Sequence, residues 1–266
     1  MSIKPLRIAL AFQFLTILPV PYGRPDSMDE KDIGGSSAYF PLVGLVQGML
    51  VSLLYVLVVN IFPLDVTAGL LIALLTVSNG GFHLDGLSDT FDALASRKNR
   101  ERRLEIMKDS TTGPIGVVSI VLVLLLKYLS LKNILAASES WAFTALILFP
   151  VVGRWAMVPA LYHGMSARQD GLGKVFLENT GKPELLIASA SAFIIALLAV
   201  LSGSHRAFNP FLVVKIVVLL SLVYALSFGL VKYFERAFGG MTGDNLGATS
   251  EITEVLWLLV FLIYFR

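Results

Sequence analysis

The chain has 266 residues, 56% of them hydrophobic and 15% charged, with a net charge of +2 and a mean hydropathy of +0.76. A soluble domain carries roughly 25% charged residues, so this composition belongs to the membrane class, and the small net charge does not suggest nucleic acid as a partner. The absence of cysteine excludes disulfides, iron–sulfur ligation, thiolate zinc sites and a thiol nucleophile.

Met1 to Pro21 is apolar behind Lys4 and Arg7 and superficially looks like a signal peptide. It lacks a small-residue cleavage site and runs into Pro19 and Pro21, so it is expected to be mature sequence. Within it, Leu6 to Pro19 is either a span or a helix lying in the interface. A spanning helix needs about 20 mostly apolar residues. On that measure spans are predicted over Ser36 to Phe62, Val66 to Asn79, Gly113 to Leu131, Trp141 to Tyr162, Leu185 to Leu201 and Phe211 to Val231, with a short seventh over Ile252 to Phe265. Lys127 and Lys215 lie towards span ends and are expected to snorkel. Arg154 lies well inside a span, where an arginine is costly and either snorkels to the interface or faces a partner or a cavity, here a phosphate or an aspartate of the polar cluster.

The segments between spans are uneven. Ala93 to Asp109, His163 to Glu184 and Lys232 to Glu251 are long and carry the basic residues. The positive-inside rule makes these three, together with Tyr22 to Gly35, cytoplasmic. The span count independently puts all four on one side. No internal repeat divides the chain, so residues 1–266 read as a single all-α polytopic membrane domain. It is expected to have about six to eight transmembrane helices and a polar site at the cytoplasmic face.

The densest polar cluster is Gly80-Gly81-Phe82-His83-Leu84-Asp85-Gly86-Leu87-Ser88-Asp89-Thr90-Phe91-Asp92. If the part after Gly81 is helical, Asp85, Asp89 and Asp92 fall at i, i+4 and i+7, within about 60° of one another. Ser96 extends the stripe. Three carboxylates on one stripe repel, and burying them at a membrane surface is expensive without a countercharge. The bland alternative is a solvated first helical turn, where aspartate favours the helix dipole. One aspartate fits that; three on one face beside His83 fit a bound divalent cation better. Hard oxygen ligands suit Mg²⁺ or Mn²⁺, an ion that usually also holds substrate phosphates. Asp109 is a candidate fourth carboxylate. Two glycine-rich stretches, Gln169-Asp170-Gly171-Leu172-Gly173 and Gly239 to Gly247, lie in the other basic segments, where backbone amides can cradle an anion. His163 and His205 read as ordinary interfacial residues.

Gly80 to Asp92, followed by Leu104-Glu105-Ile106-Met107-Lys108-Asp109-Ser110, resembles the signature of the cobalamin (5′-phosphate) synthase family, the adenosylcobinamide-GDP ribazoletransferases. Further matches occur in order at Gly153-Arg154-Trp155, Asp170 to Gly173 and Thr242 to Ala248. Ala93 departs from the glycine often found after the third aspartate. The resemblance implies Mg²⁺-dependent phosphoryl transfer at the cytoplasmic (inner) membrane. A hydroxyl of α-ribazole, or of its 5′-phosphate, attacks adenosylcobinamide-GDP, releasing GMP and forming adenosylcobalamin or its 5′-phosphate. It also implies contact with other late cobalamin-assembly enzymes. On this basis Asp85, Asp89 and Asp92 are expected to hold Mg²⁺. Asp109 or His83, with Asp85 nearby, is expected to handle the hydroxyl proton. Arg154, Ser96, Asp170, Thr242, Gly243, Asp244 and Asn245 are expected to meet phosphate or nucleotide. Two rivals stand beside this. Asp89-x-x-Asp92-Ala93-x-x-Ser96-Arg97 also resembles part of the CDP-alcohol phosphotransferase pattern, without its remaining glycine and aspartates. A transporter would place its site near the midplane between repeated halves, which this chain does not show.

Overall fold

The computed structural model describes residues 4–20, 29–203 and 210–264. Its helices run in the order α1 (Pro5–Leu15), α2 (Glu30–Gly35), α3 (Phe40–Val58, entered through a 3₁₀ turn at Ser36–Tyr39), α4 (Leu64–Ser78), α5 (Phe82–Ala95) and α6 (Arg100–Ile106). Then follow α7 (Pro114–Ala137), α8 (Glu139–His163), α9 (Leu172–Asn179), α10 (Lys182–Gly203), α11 (Pro210–Phe238) and α12 (Gly243–Tyr264). Among the described residues, six helical segments are long and apolar enough to cross a membrane: Glu30–Val58, Pro114–Ala137, Trp141–His163, Lys182–Gly203, Phe211–Phe238 and Gly243–Tyr264. The protein is therefore an all-α polytopic membrane protein. His205 lies outside the described residues.

The distribution of side chains is that of a bundle in lipid. On α7, Val121 and Leu122 are exposed while Lys127, Ser130 and Leu131 are buried. Lipid tails are as apolar as valine, so the outer face needs no polar residues, and the polar side chains turn inward to find partners. The long α8 is the axis: α3, α7, α10, α11 and α12 all pack on it, and its middle, from Ala145 to Leu161, is almost wholly buried.

Two expectations need correction. Lys127 does not snorkel; it is buried in mid-helix against Glu251 and Glu254. The last span does not start at Ile252, and Lys232 to Glu251 is not a loop. Helix α11 runs to Phe238 and α12 starts at Gly243, leaving a four-residue turn. Asp244, Glu251 and Glu254 lower the hydropathy of the N-terminal half of α12. They are paired with cations, Asp244 with Arg168 of the α8–α9 segment and the glutamates with Lys127 and Arg154 of α7 and α8, so the helix carries them without exposing them to lipid. As for the N-terminal segment, α1 has 11 residues, about 16 Å at 1.5 Å per residue, which is half the hydrocarbon thickness. It does not span. Arg7 pins it laterally, with Nε donating to Asp32 at 2.8 Å and a guanidinium nitrogen 3.5 Å from Glu184 at the start of α10.

Candidate active site

The site begins where α4 stops. Gly80 and Gly81 both take left-handed φ values, 63° and 74°, which glycine adopts without the Cβ penalty. The chain swings through 87° into α5. Helix α5 therefore does not continue α4 but crosses the ends of α7 and α12. The crossing on α12 is backbone to backbone: a Cβ on Gly86 would stand 2.7 Å from the Asp244 carbonyl oxygen, and one on Gly247 3.1 Å from His83. Two glycines thus bring Asp85 and Asp244 to the same place from opposite ends of the sequence.

The start of α12 is locked by a reciprocal cap. The Thr242 N–H donates to Asn245 Oδ1 at 3.0 Å and the Asn245 N–H donates to Thr242 Oγ1 at 3.2 Å, the capping-box pattern that satisfies two orphan donors at once. Asn245 Nδ2 also donates to Thr90 Oγ1 on α5 at 3.1 Å. Thr242 and Asn245 are thus occupied in holding α5 against α12, while Gly243 and Asp244 line a cavity. The Met241 N–H donates to the Met165 carbonyl at 2.7 Å and the Ala167 N–H to the Met241 carbonyl at 2.9 Å. Gly173 packs against Gly243. The two glycine-rich stretches therefore meet. From this junction Arg168 donates to Asp244 Oδ2 at 2.8 Å.

The three aspartates of the stripe have different surroundings. Asp85 is exposed and lines the cavity. Asp89 is partly buried in the field of Asp85, Asp244 and Asp92, opposed by Arg168. Asp92 accepts from the Gly113 N–H at 2.6 Å and the Gly116 N–H at 2.8 Å, so its two oxygens cap the N-terminus of α7, where an anion also favours the helix dipole.

Arg154 is fully buried and faces neither solvent nor the aspartate stripe. It donates to Glu254 Oε1 at 2.6 Å, Ser250 Oγ at 2.7 Å and Asn79 Oδ1 at 2.9 Å. Lys127 Nζ lies 2.7 Å from Glu251 and 2.5 Å from Glu254, and Gln47 donates to Asn79 and, at 3.0 Å, to Ser78. Two cations and two anions thus balance inside the bundle. Sequence reasoning missed Glu251, Glu254 and Asn79 as partners. The available signal was that a cation deep within a span, such as Arg154, calls for an anion from a neighbouring span.

Of the other expected residues, Ser96, Asp170 and Asp109 are engaged elsewhere or exposed, and His83 joins the carboxylates. Ser96 donates to the Ala93 carbonyl at 2.6 Å and accepts from the Lys98 N–H, finishing α5 locally. Asp170 is exposed in the turn before α9. Asp109 is exposed beyond α6, and the hydroxyl and N–H of Thr111 hold its carboxyl below the usual carboxylate range, which makes it a weak base. His83 is buried, lines the same cavity as Asp85 and Asp244, and its Nδ1 has no hydrogen-bond partner among the described residues.

Among the described residues no three histidine, aspartate or glutamate groups are drawn together tightly enough to hold a metal ion by themselves. The donor chemistry still fits Mg²⁺. That ion is usually bound through one or two carboxylates, with waters and substrate phosphates completing its shell, and the aspartates here are oxygen donors with an excess of negative charge.

Fold and site together define a class: a multi-pass membrane protein whose anionic site sits where a tilted helix crosses the ends of two spans. The model of the family described as cobalamin-5-phosphate synthase matches residues 7–262. Similar curated proteins include the adenosylcobinamide-GDP ribazoletransferases of Geotalea daltonii, 38% identical over 94% of both chains, and of Acetivibrio thermocellus, 37% identical over 97% of this chain and 98% of the relative. That of Thermodesulfovibrio yellowstonii is 33% identical over 97% and 96%. No solved structure matches. The chain belongs to the cobalamin-5-phosphate synthase family and is a transferase of cobalamin biosynthesis.

Proposed function

We propose that this chain joins α-ribazole, or α-ribazole 5′-phosphate, to adenosylcobinamide-GDP with release of GMP, in a Mg²⁺-dependent reaction at the inner membrane. The observation that carries the reading is the convergence of Asp85, Asp89 and Asp244 at one membrane face with Arg168 beside them, in a chain whose relatives are named for this transfer.

In the step, a ribose hydroxyl oxygen of the acceptor forms a bond to the phosphorus that carries the cobinamide. The bridging P–O bond to GMP breaks, the leaving oxygen keeps the electron pair, and the hydroxyl proton passes to a base or water. Asp85 and Asp89 are the residues that would hold Mg²⁺, with Asp244 and Asp92 bordering them. A bound Mg²⁺ would neutralise charge on the phosphate oxygens. Arg168, tied to Asp244, is positioned to meet a phosphate of the donor through the guanidinium face that Asp244 leaves free. His83 and Asp85, on the cavity wall, are the nearest groups for the acceptor hydroxyl; of the candidates for its proton, Asp109 is the weaker base. The basic residues between α5 and α7 and between α8 and α10 lie on the site face, which supports a cytoplasmic orientation.

The test is turnover by the purified chain in detergent with adenosylcobinamide-GDP, α-ribazole and Mg²⁺. Release of GMP with equimolar corrinoid product, abolished by EDTA and restored by added Mg²⁺, is the expected result. A folded preparation that releases neither product from verified substrates would sink the reading.

A further inference from the structure

A cavity of about 380 Å³ adjoins the carboxylates. One wall carries His83, Asp85 and Asp244; the other is built from Leu10, Gln13 and Phe14 of α1, Ile33 of α2 and Phe176 of α9, and is apolar except for Gln13, whose amide nitrogen donates to the Val20 carbonyl at 3.1 Å. The Phe14 and Phe176 rings stand 4.2 Å apart between centroids. This side of the site exists only because α1 does not span. Arg7 holds α1 down on α2 and α10, so a short apolar helix becomes the wall of a pocket rather than a membrane anchor.

From this arrangement we infer that the cavity is the acceptor subsite: it takes the fused two-ring base of α-ribazole against Phe14 and Phe176 and presents the ribose to Asp85 and His83. The inference deepens the proposed transfer reaction and rests on it. The volume lies in the lower part of the roughly 300–1,000 Å³ range of small-molecule sites, large enough for a nucleoside and far too small for a corrin macrocycle. The lining decides between the two nucleoside bases of the reaction. Guanine carries donors and acceptors along its edge that lose affinity if buried unmatched, and the α1–α2–α9 wall offers only the Gln13 amide against the required row. A dimethylbenzimidazole is a flat apolar ring system with a single free ring nitrogen, suited to aromatic faces and aliphatic contacts. Apart from Gln13, the polar side chains stand on the carboxylate side, His83 Nδ1 without a partner among them, where the ribose hydroxyls have to be.

Steady-state kinetics of the full-length chain in detergent test this with two variants. Phe14→Ala opens the apolar wall. Gly243→Val narrows the cavity from the other side, at a lining position where an added Cβ meets nothing within 4 Å. Each is expected to raise KM for α-ribazole roughly tenfold while KM for adenosylcobinamide-GDP stays within about twofold. Wild type is expected to prefer α-ribazole over the unmethylated benzimidazole riboside by roughly tenfold, about the effect of two buried methyl groups, and Phe14→Ala to lose most of that preference. An unchanged KM for α-ribazole in folded variants, as would follow if an acyl chain occupied the cavity, overturns the subsite, and so does a rise confined to adenosylcobinamide-GDP. If wild type does not turn over, equilibrium dialysis with α-ribazole separates the two ideas. Saturable binding weakened by both variants would keep the subsite and sink the transfer reaction; binding that is absent, or equal in all three proteins, would sink the subsite.

Discussion

At the scale of single residues, the instructive contrast is between Asp89 and Asp92, three positions apart on one helix stripe. Periodicity placed both with Asp85 on one face, and the helix from Phe82 to Ala95 has that face. What periodicity cannot encode is what approaches the face. Asp92 meets the N–H groups of Gly113 and Gly116, whereas Asp89 meets other carboxylates. The two are therefore expected to respond differently to conservative change. Asp89→Asn should lower turnover at least about 100-fold and raise the Mg²⁺ concentration for half-maximal activity. Asp92→Asn keeps one good acceptor and loses the anion at the α7 N-terminus, costing stability by about 1 kcal/mol. Its turnover should fall through misalignment, with the Mg²⁺ midpoint within about twofold of wild type. A Mg²⁺ titration of both variants checks this; a tenfold weaker midpoint in Asp92→Asn would return that residue to the metal shell. Asp244 was also legible, since a glycine-rich turn beside an aspartate drew notice. Its partner Arg168 was not, because a salt bridge over 76 residues leaves no local trace.

At the scale of elements, the hydropathy pattern gave the helix order and failed where charge is buried. Helix α12 reads as polar at its start because Asp244, Glu251 and Glu254 are counted as solvent-seeking, and Lys127 reads as a snorkelling residue for the same reason. In the bundle they cancel: Lys127 faces both glutamates, and Arg154 takes Glu254, Ser250 and Asn79. Asn79 ends α4 immediately before the Gly80–Gly81 turn, so the network fixes the point from which α5 departs. Arg154 is on this account a positioning residue. Removing one partner from a buried ionic group leaves an uncompensated charge, at a cost of about 3–5 kcal/mol, whereas removing a matched pair costs much less. Lys127→Met is accordingly expected to lower the thermal unfolding midpoint in detergent sharply, and Lys127→Met with Glu251→Gln to recover most of the loss. A single variant as stable as wild type, or a double variant no better than the single, would show that the charges are not coupled.

At the scale of the whole molecule, what matters is which ends of the spans share a face. The N-terminus of α3, the end of α8, the start of α10, the end of α11 and the starts of α7 and α12 lie together, so that every segment contributing to the site reaches it from the same side. Counting α4 as a short pass, the chain then crosses seven times, which puts residues 59–63 and Ser138 on the far side from the aspartates. The lysines and arginines between α5 and α7 are on the site side, whereas on the far side the turn from α3 into α4 has none and Lys132, near the far end of α7, is paired with Asp65. That asymmetry is the physical argument for the cytoplasmic orientation proposed for the site, and the adenosylcobinamide-GDP proposed as donor is a charged nucleotide conjugate that does not cross a bilayer unaided. The sequence makes the orientation unusually easy to measure, because the chain has no cysteine and any introduced thiol is unique. Lys98→Cys, exposed between α5 and α6, and Asn60→Cys, exposed between α3 and α4, replace side chains outside the carboxylate cluster and should leave turnover near wild type. A membrane-impermeant maleimide added to intact spheroplasts is expected to label Asn60→Cys and spare Lys98→Cys, and inverted vesicles to give the opposite pattern. The reverse result would place the aspartates outside the cell. Labelling of both from one side would mean that α4 does not complete a crossing, and the helix pair α4–α5 would then be a re-entrant hairpin that enters and leaves the membrane on the side of residues 59–63.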